Sequence, residues 1–245
     1  MTSLLFSVIN AVESAQIKAV SDVVDVKDPS KGPLGAPDIN VVAAVVKEVG
    51  EAAPISASLG DADFDSIAKH IDLAKSFADA GVQIVKIAVS RLSPARAELV
   101  IGKLRNALTE RVKVVAAIYA DESPKNSLFD FIATASHAGA DGVLLDTAVK
   151  NGRSLFDHVD EETLRSFVSI SHKEGLFVAL AGSLGVGDIE RLARVNPDYA
   201  GFRSAIASNG RNANGVDIAK AVEIRRRLSS VVILSADVVI LNEAK

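Results

Sequence analysis

Eight short apolar runs alternate with eight segments of helical periodicity. The units follow one another without a long linker, and charged residues interrupt several apolar runs near their C-terminal ends. These three observations predict a single closed (β/α)8 barrel. Strict alternation implies a parallel sheet with right-handed crossovers, and 245 residues match the roughly 250 of one such barrel, which keeps its chemistry at the strand C-termini. An open, doubly wound sheet is the alternative. Against it, the turn after the first strand reads Ile9-Asn10-Ala11, with no Gly-x-Gly-x-x-Gly.

The first strand covers residues 4–9 and the first helix 11–20. The β-branched run 23–27 is the second strand. Asp38 caps the next helix, which ends near Gly50. Pro54 leads into a third strand at 55–59, and the helix over 65–80 closes at Gly81. Residues 83–89 form the fourth strand, and Pro94 opens a helix reaching about residue 109. The fifth strand is 112–120, followed by a helix over 126–138 stopped by Gly139. The sixth strand is 142–145. An insertion at 147–160 precedes the helix 161–174, with Gly175 behind it. The seventh strand, 176–181, is followed by a short helix at 187–194; the eighth, 199–203, by a helix at 216–228. The barrel domain thus occupies residues 1–230. Residues 231–245 form a C-terminal extension whose apolar runs, 231–234 and 238–241, read as strand-like. The extension suits a cover for the barrel bottom, a subunit contact or a disordered tail, the last disfavoured by its apolar content, so a homo-oligomer is compatible with the sequence.

Composition narrows the function. Hydrophobic residues make up 49% of the chain and aromatics 4%, which suits helices packed on buried parallel strands. A net charge of −4 gives no reason to expect a nucleic-acid partner. Absence of cysteine removes disulfides, thiolate zinc sites and a Cys nucleophile together. The N-terminus lacks a basic leader and no apolar run is long enough for a membrane span, so a cytoplasmic, non-membrane protein is expected.

The second strand runs Val23-Val24-Asp25-Val26-Lys27 into the Pro- and Gly-rich loop Asp28-Pro29-Ser30-Lys31-Gly32-Pro33-Leu34-Gly35. Asp25 and Lys27 are two apart, so they point to the same face. In a barrel, Lys86 in the fourth strand, Asp146 ending the sixth and Lys150 just beyond it share one mouth with them. An isolated lysine in an apolar strand is costly unless paired; three converging with two aspartates indicate a site, with a structural ion-pair network as the bland alternative. Clustered lysines suit Schiff-base chemistry, which needs a neutral amine and hence a pKa pushed down from ~10.4 by burial and neighbouring ammonium groups. Lys27 is the candidate amine and Lys86 the general base or tuning charge. Exchange of these two roles is the nearest alternative, and Asp25 is a proton shuttle or orienting group.

The segments Ala181-Gly182-Ser183-Leu184-Gly185 and Gly201-Phe202-Arg203-Ser204-Ala205 end the seventh and eighth strands. Barrels bind phosphate on backbone N–H groups at those two strands, so Gly182, Ser183, Arg203 and Ser204 are candidate phosphate contacts, Arg203 through its charge. His70, His137 and His172 fall on helices as surface or packing residues, and His158 sits in the insertion as a solvated loop residue. No metal-ligand spacing stands out. Asp61 and Asp63 are better read as caps than as a cation site, and Arg225-Arg226-Arg227 as a solvated helix end.

Several stretches resemble one family, the (5-formylfuran-3-yl)methyl phosphate synthases. They are Val24-Asp25-Val26-Lys27-Asp28-Pro29, Val85-Lys86-Ile87, Leu145-Asp146-Thr147-Ala148-Val149-Lys150-Asn151-Gly152, Leu180-Ala181-Gly182-Ser183 and Phe202-Arg203. The resemblance spans about residues 4–228. It implies a (β/α)8 barrel and a lyase that joins two molecules of glyceraldehyde 3-phosphate into a phosphorylated furan aldehyde, with loss of phosphate and water. That furan serves methanofuran synthesis in methanogens and methylofuran synthesis in methylotrophic bacteria. The resemblance also implies that Lys27 forms the Schiff base, Lys86 accepts a proton, Asp25, Asp146 and Lys150 support them, and no cofactor is needed. Departures fall at Asp28, where Asn is expected, in the Lys31-Gly32-Pro33 turn, and beyond Ser229. Two other readings compete: a Schiff-base aldolase of the deoxyribose-phosphate type, and a non-catalytic sugar-phosphate-binding barrel.

Overall fold

The computed structural model describes residues 2–243, with side chains described as far as Ser230. Eight parallel strands close on themselves in chain order: β1 (Ser3–Val8), β2 (Val23–Val26), β3 (Ile55–Asp61), β4 (Ile84–Ala88), β5 (Lys113–Tyr119), β6 (Gly142–Asp146), β7 (Phe177–Leu180) and β8 (Tyr199–Phe202), with β8 pairing back onto β1. The helices between and after them are α1 (Ala11–Ile17), α2 (Ile39–Val49), α3 (Ile67–Asp79), α4 (Pro94–Ala107), α5 (Lys125–His137), α6 (Glu161–Lys173), α7 (Ile189–Val195) and α8 (Ile218–Glu243). The fold is the predicted (β/α)8 barrel. Short 3-10 turns take over the ends of three predicted helices, at Lys18–Val20, Phe64–Ser66 and Val186–Asp188.

One expectation is corrected. The runs 231–234 and 238–241 are not strand-like; they continue α8 to Glu243. Positions 231, 234, 238 and 241 recur at alternating three and four, a spacing a helix accommodates. The suggested cover or subunit contact of this extension lies outside the residues whose side chains are described.

Side-chain alternation sorts the strands into two faces. Phe6, Val24, Val26, Ile55, Ala57, Val85, Ile87, Val114, Ala116, Val143, Leu145, Val178 and Leu180 are buried outward against the helices, with Val42, Val45, Phe77, Leu104, Ile132 and Phe167, in one apolar cluster. The inward set is different. A small cluster of Val115, Ala117, Leu144 and Ala179 fills the barrel centre. Above it the inward positions turn polar: Ser7 sits beside Asp25, Asp25 beside Ser56, Ser58 beside Lys86, and Tyr119 beside Asp146. Parallel pairing keeps registered residues on one face, so the closure of the barrel gathers these polar residues at its C-terminal mouth.

Candidate active site

The mouth holds a cavity lined by all of the candidate catalytic and phosphate-contact residues: Asp25, Lys27, Lys86, Asp146, Lys150, Gly182, Ser183, Arg203 and Ser204. Ser7, Leu34 and Arg211 line it too.

Asp25 is 1% exposed and fully engaged. One carboxylate oxygen accepts from Ser7 Oγ at 2.8 Å, the other from Ser56 Oγ at 2.6 Å and from Lys86 Nζ. Burial alone would raise its pKa; the ammonium groups of Lys86 and Lys27 and the hydrogen bonds from Lys86 and Ser56 outweigh that and hold it below the usual range. Asp146 repeats the arrangement on the opposite side. It accepts from Lys150 Nζ at 2.7 Å and from the Thr147 amide at 2.7 Å, while Lys150 also reaches Thr147 Oγ1 at 3.0 Å. Here too burial works upward, and the Lys150 and Lys27 charges, with the Lys150 hydrogen bond, bring the pKa down.

Lys27 differs from both other lysines. It is 7% exposed, and among the described residues no protein acceptor lies within hydrogen-bonding distance of its amine and no carboxylate within 4.0 Å. Burial drives its pKa down to about 7, against the upward pull of Asp146 and Asp25 and with help from Arg211 and Lys86. The loop after β2 supplies that burial. Asp28 caps the turn Pro29–Lys31 and pairs with Lys31 at 3.1 Å, so the unexpected Asp28 and Lys31 together clasp the loop. The Asp28 amide donates to Gly35 O at 2.9 Å, and a Cβ on Gly35 would lie 2.0 Å from Asp28 O. This tight closure tucks Leu34, 2% exposed, into the mouth beside Lys27.

The end of β7 is equally constrained. Gly182 has φ +108°, and a Cβ there would sit 2.9 Å from Thr147 Cγ2. Ser183 follows with φ +51°, a region that costs a non-glycine residue. This backbone turns the 182–183 segment toward the cavity. The amides of Gly182, Ser183 and Ser204 have no protein acceptor among the described residues, leaving them free for an anion.

Arg203 is used otherwise than its sequence position suggests. Its guanidinium forms a buried, two-pronged ion pair with Glu13, at 2.5 and 3.2 Å, and donates to the carbonyls of Ser7, Arg211 and Ala213. All its donors are taken, so it braces the loop after β8 rather than offering charge to a phosphate. Arg211, on that loop, was not singled out from the sequence; nor were Ser7, Ser56, Thr147 and Glu13. The serines leave a signal, a hydroxyl at an inward position of a strand end. Arg211 leaves none, because Ser208-Asn209-Gly210-Arg211-Asn212-Ala213-Asn214-Gly215 reads as an ordinary loop.

The remaining candidates stay outside the cavity. His70 accepts from the Asp63 amide and lies 3.2 Å from Leu59 O; His172 meets Asp198 at 2.8 Å. Asp63 caps the turn Phe64–Ser66, and Asp61 accepts from Tyr119 Oη at 2.6 Å. Among the described residues no cluster of three His, Asp or Glu is placed to hold a metal, and no helix is long and apolar enough to cross a membrane.

Fold and site together define a barrel enzyme with a buried, unpaired amine at its mouth. The model of the 4-HFC-P synthase family matches residues 4–225. A (5-formylfuran-3-yl)methyl phosphate synthase of Methanosarcina mazei is 35% identical over 219 residues, covering 86% of this chain and 93% of the relative. That of Archaeoglobus fulgidus is 34% identical over 216 residues, covering 84% and 90%. The chain belongs to the 4-HFC-P synthase family. Solved structures at lower identity share the fold: phosphoribosyl anthranilate isomerase from Thermus thermophilus (TM-score 0.63, 13% identity, 94% of this chain and 100% of that one) and deoxyribose phosphate aldolase from Aeropyrum pernix (TM-score 0.61, 14% identity, 94% and 89%).

Proposed function

We propose that this enzyme is a carbon–oxygen lyase that condenses two molecules of glyceraldehyde 3-phosphate into (5-formylfuran-3-yl)methyl phosphate, through a Schiff base on Lys27 and without a cofactor, in the supply of a furan for methanofuran or methylofuran. The observation that carries the reading is the contrast among the lysines. Lys86 and Lys150 are each tied to an aspartate, whereas Lys27 is buried and unpaired, with its pKa pushed down to about 7. An amine must be neutral to attack an aldehyde.

The Lys27 amine adds to the aldehyde carbon and water leaves, giving an imine that acidifies the neighbouring carbon. A base takes that proton as phosphate leaves from the β carbon. The elimination leaves an enol at C2 of the first triose; its terminal carbon attacks C2 of the second triose, first tautomerised to its ketone, and ring closure with loss of two waters and hydrolytic release of the lysine completes the furan. Balance over two trioses requires loss of one phosphate and two waters.

The Asp25–Lys86 pair serves as the proton relay. Lys86 and Asp25 are joined by a direct hydrogen bond, so the two work as one unit. Asp146 and Lys150 handle the later proton transfers. The free amides at 182, 183 and 204 hold a substrate phosphate.

The test incubates the protein with glyceraldehyde 3-phosphate, traps one half with borohydride for peptide mass spectrometry, and assays the other for free phosphate and furan aldehyde. An adduct on Lys27 together with furan and phosphate is expected. An aldol adduct retaining both phosphates would make the protein an aldolase instead, and an adduct confined to Lys86 would reverse the assigned roles.

A further inference from the structure

Next to the cavity described above lies a second, more open hollow, between the loops that follow β2, β6 and β8. Two residues border both spaces, Lys150 and Arg211. Neither Asp nor Glu lines the outer hollow among the described residues, so its walls are cationic, although the chain as a whole carries −4.

The charges of the mouth can be followed one by one. Lys86 is paired with Asp25, Lys150 with Asp146, and Arg203 with Glu13. Lys27 is the reactive amine. Arg211 alone of the mouth's guanidinium and ammonium groups remains without either a carboxylate or a chemical role. Its Nη2 donates to Pro33 O at 3.2 Å, while its Nε is buried with no partner among the described residues. A buried guanidinium donor without a partner is costly, so its retention calls for an acceptor that arrives from solution.

The loop is built to hold the side chain there. Arg203 donates to the carbonyls of Arg211 and Ala213, Glu13 accepts from the Gly215 amide at 2.8 Å, and Asn10 Nδ2 donates to Asn214 Oδ1 at 3.0 Å. The buried Glu13–Arg203 pair thus fixes the backbone on both sides of Arg211.

We propose that Arg211, assisted by Lys150, forms an outer subsite that holds the phosphate of the second triose phosphate. The proposal rests on the two-triose condensation above. A site that joins two phosphorylated aldehydes must hold two phosphate groups while their reacting carbons meet. The free amides at the ends of β7 and β8 accommodate one, and the border the two spaces share at Lys150 and Arg211 accommodates the other.

The experiment compares the wild type with Arg211→Gln and Arg211→Lys in three readouts. These are the borohydride-trapped adduct on Lys27, the rate of furan formation against glyceraldehyde 3-phosphate concentration, and calorimetric binding of inorganic phosphate. For Arg211→Gln the adduct yield stays within about threefold of wild type, while furan formation falls on the order of a hundredfold with a raised KM, the loss expected when a charge-assisted contact to the second substrate goes. Arg211→Lys recovers part of it, because charge is kept but the two-pronged geometry is not. Wild type binds two phosphates per chain and Arg211→Gln one.

Furan kinetics unchanged in Arg211→Gln would overturn the proposal, as would equal loss of adduct and furan, which would place Arg211 at the first triose. Two phosphates still bound by that variant would overturn it as well. A wild type that forms neither adduct nor furan defeats the two-triose reading itself, and the phosphate stoichiometry then still decides whether Arg211 makes an anion site.

Discussion

The β1–β4 wall and the β6–β8 wall of the barrel hold their charges by different means. On the first wall, Asp25 and Lys86 both lie within strands and are nearly sealed; Ser7 and Ser56, from the two neighbouring strands, complete the hydrogen bonding of Asp25. On the second, Asp146 ends a strand but its partner Lys150 lies beyond it, and Arg203 and Arg211 serve a loop. Strand positions are fixed by the ladder and suit reacting groups that tolerate little displacement. Loop positions suit groups that grip a substrate as it arrives. Lys27, on the residue after β2, stands between the walls and feels the carboxylates of both.

Removing Lys27 gives the largest effect. Lys27→Ala is expected to abolish the trapped adduct and to lower furan formation by on the order of a thousandfold or more, as for loss of a nucleophile, with a single cooperative melting transition as the control for folding. Residual activity near wild type would move the nucleophile to another lysine. Asp25→Asn attacks the first wall. It leaves a buried Lys86 ammonium without its counter-charge, at a cost of about 3–5 kcal/mol, and disables the proton relay, lowering kcat by about a hundredfold or more. Because the Asp25 carboxylate raises the Lys27 pKa, the acid limb of the pH–rate profile should also move to lower pH. A limb that stays in place would uncouple the two residues.

The pH dependence separates catalysis from stability. Below pH 7 the neutral fraction of Lys27 falls, so adduct formation should drop about tenfold per pH unit. Stability follows the folded pKa, about 7, and the ordinary value of 10.5. Between these two values the unfolded chain binds the extra proton, so the Lys27 contribution to stability rises with pH, by at most about 1.4 kcal/mol per unit. Lys27→Met should be more stable than wild type near pH 7 and should lose that slope in denaturant titrations. An unaltered slope would show that Lys27 is protonated in the fold at neutral pH.

The smallest effect on turnover is expected on the loop side. Glu13→Gln weakens the brace of Arg203 without touching the reacting atoms. KM should rise by about tenfold with kcat within about threefold of wild type, the pattern of lost substrate binding, alongside a lowered melting temperature. A collapse of kcat with unchanged KM would dissolve the distinction between the two walls.

The barrel and most of its candidate site are legible in the sequence for a local reason. Alternation places Asp25 with Lys27, closure by parallel strands brings them to Lys86 and Asp146, and a charge inside an apolar strand declares itself without knowledge of its partner. Arg203 shows where that reasoning stops. Its position at the end of β8 suits a phosphate contact, but a carboxylate 190 residues earlier in the chain claims its guanidinium. The C-terminal extension shows a second boundary, since its short β-branched runs fit a strand and a helix alike.

The sequence by itself therefore determined the fold, the mouth and the candidate reactive residues, because these follow from period, parity and strand order. Only the tertiary structure decided which lysine stands unpaired, which arginine is spent on a buried glutamate and which remains free. Pairing and desolvation are set by neighbours distant in the chain, and they control the charge state of an amine as strongly as its chemical identity does.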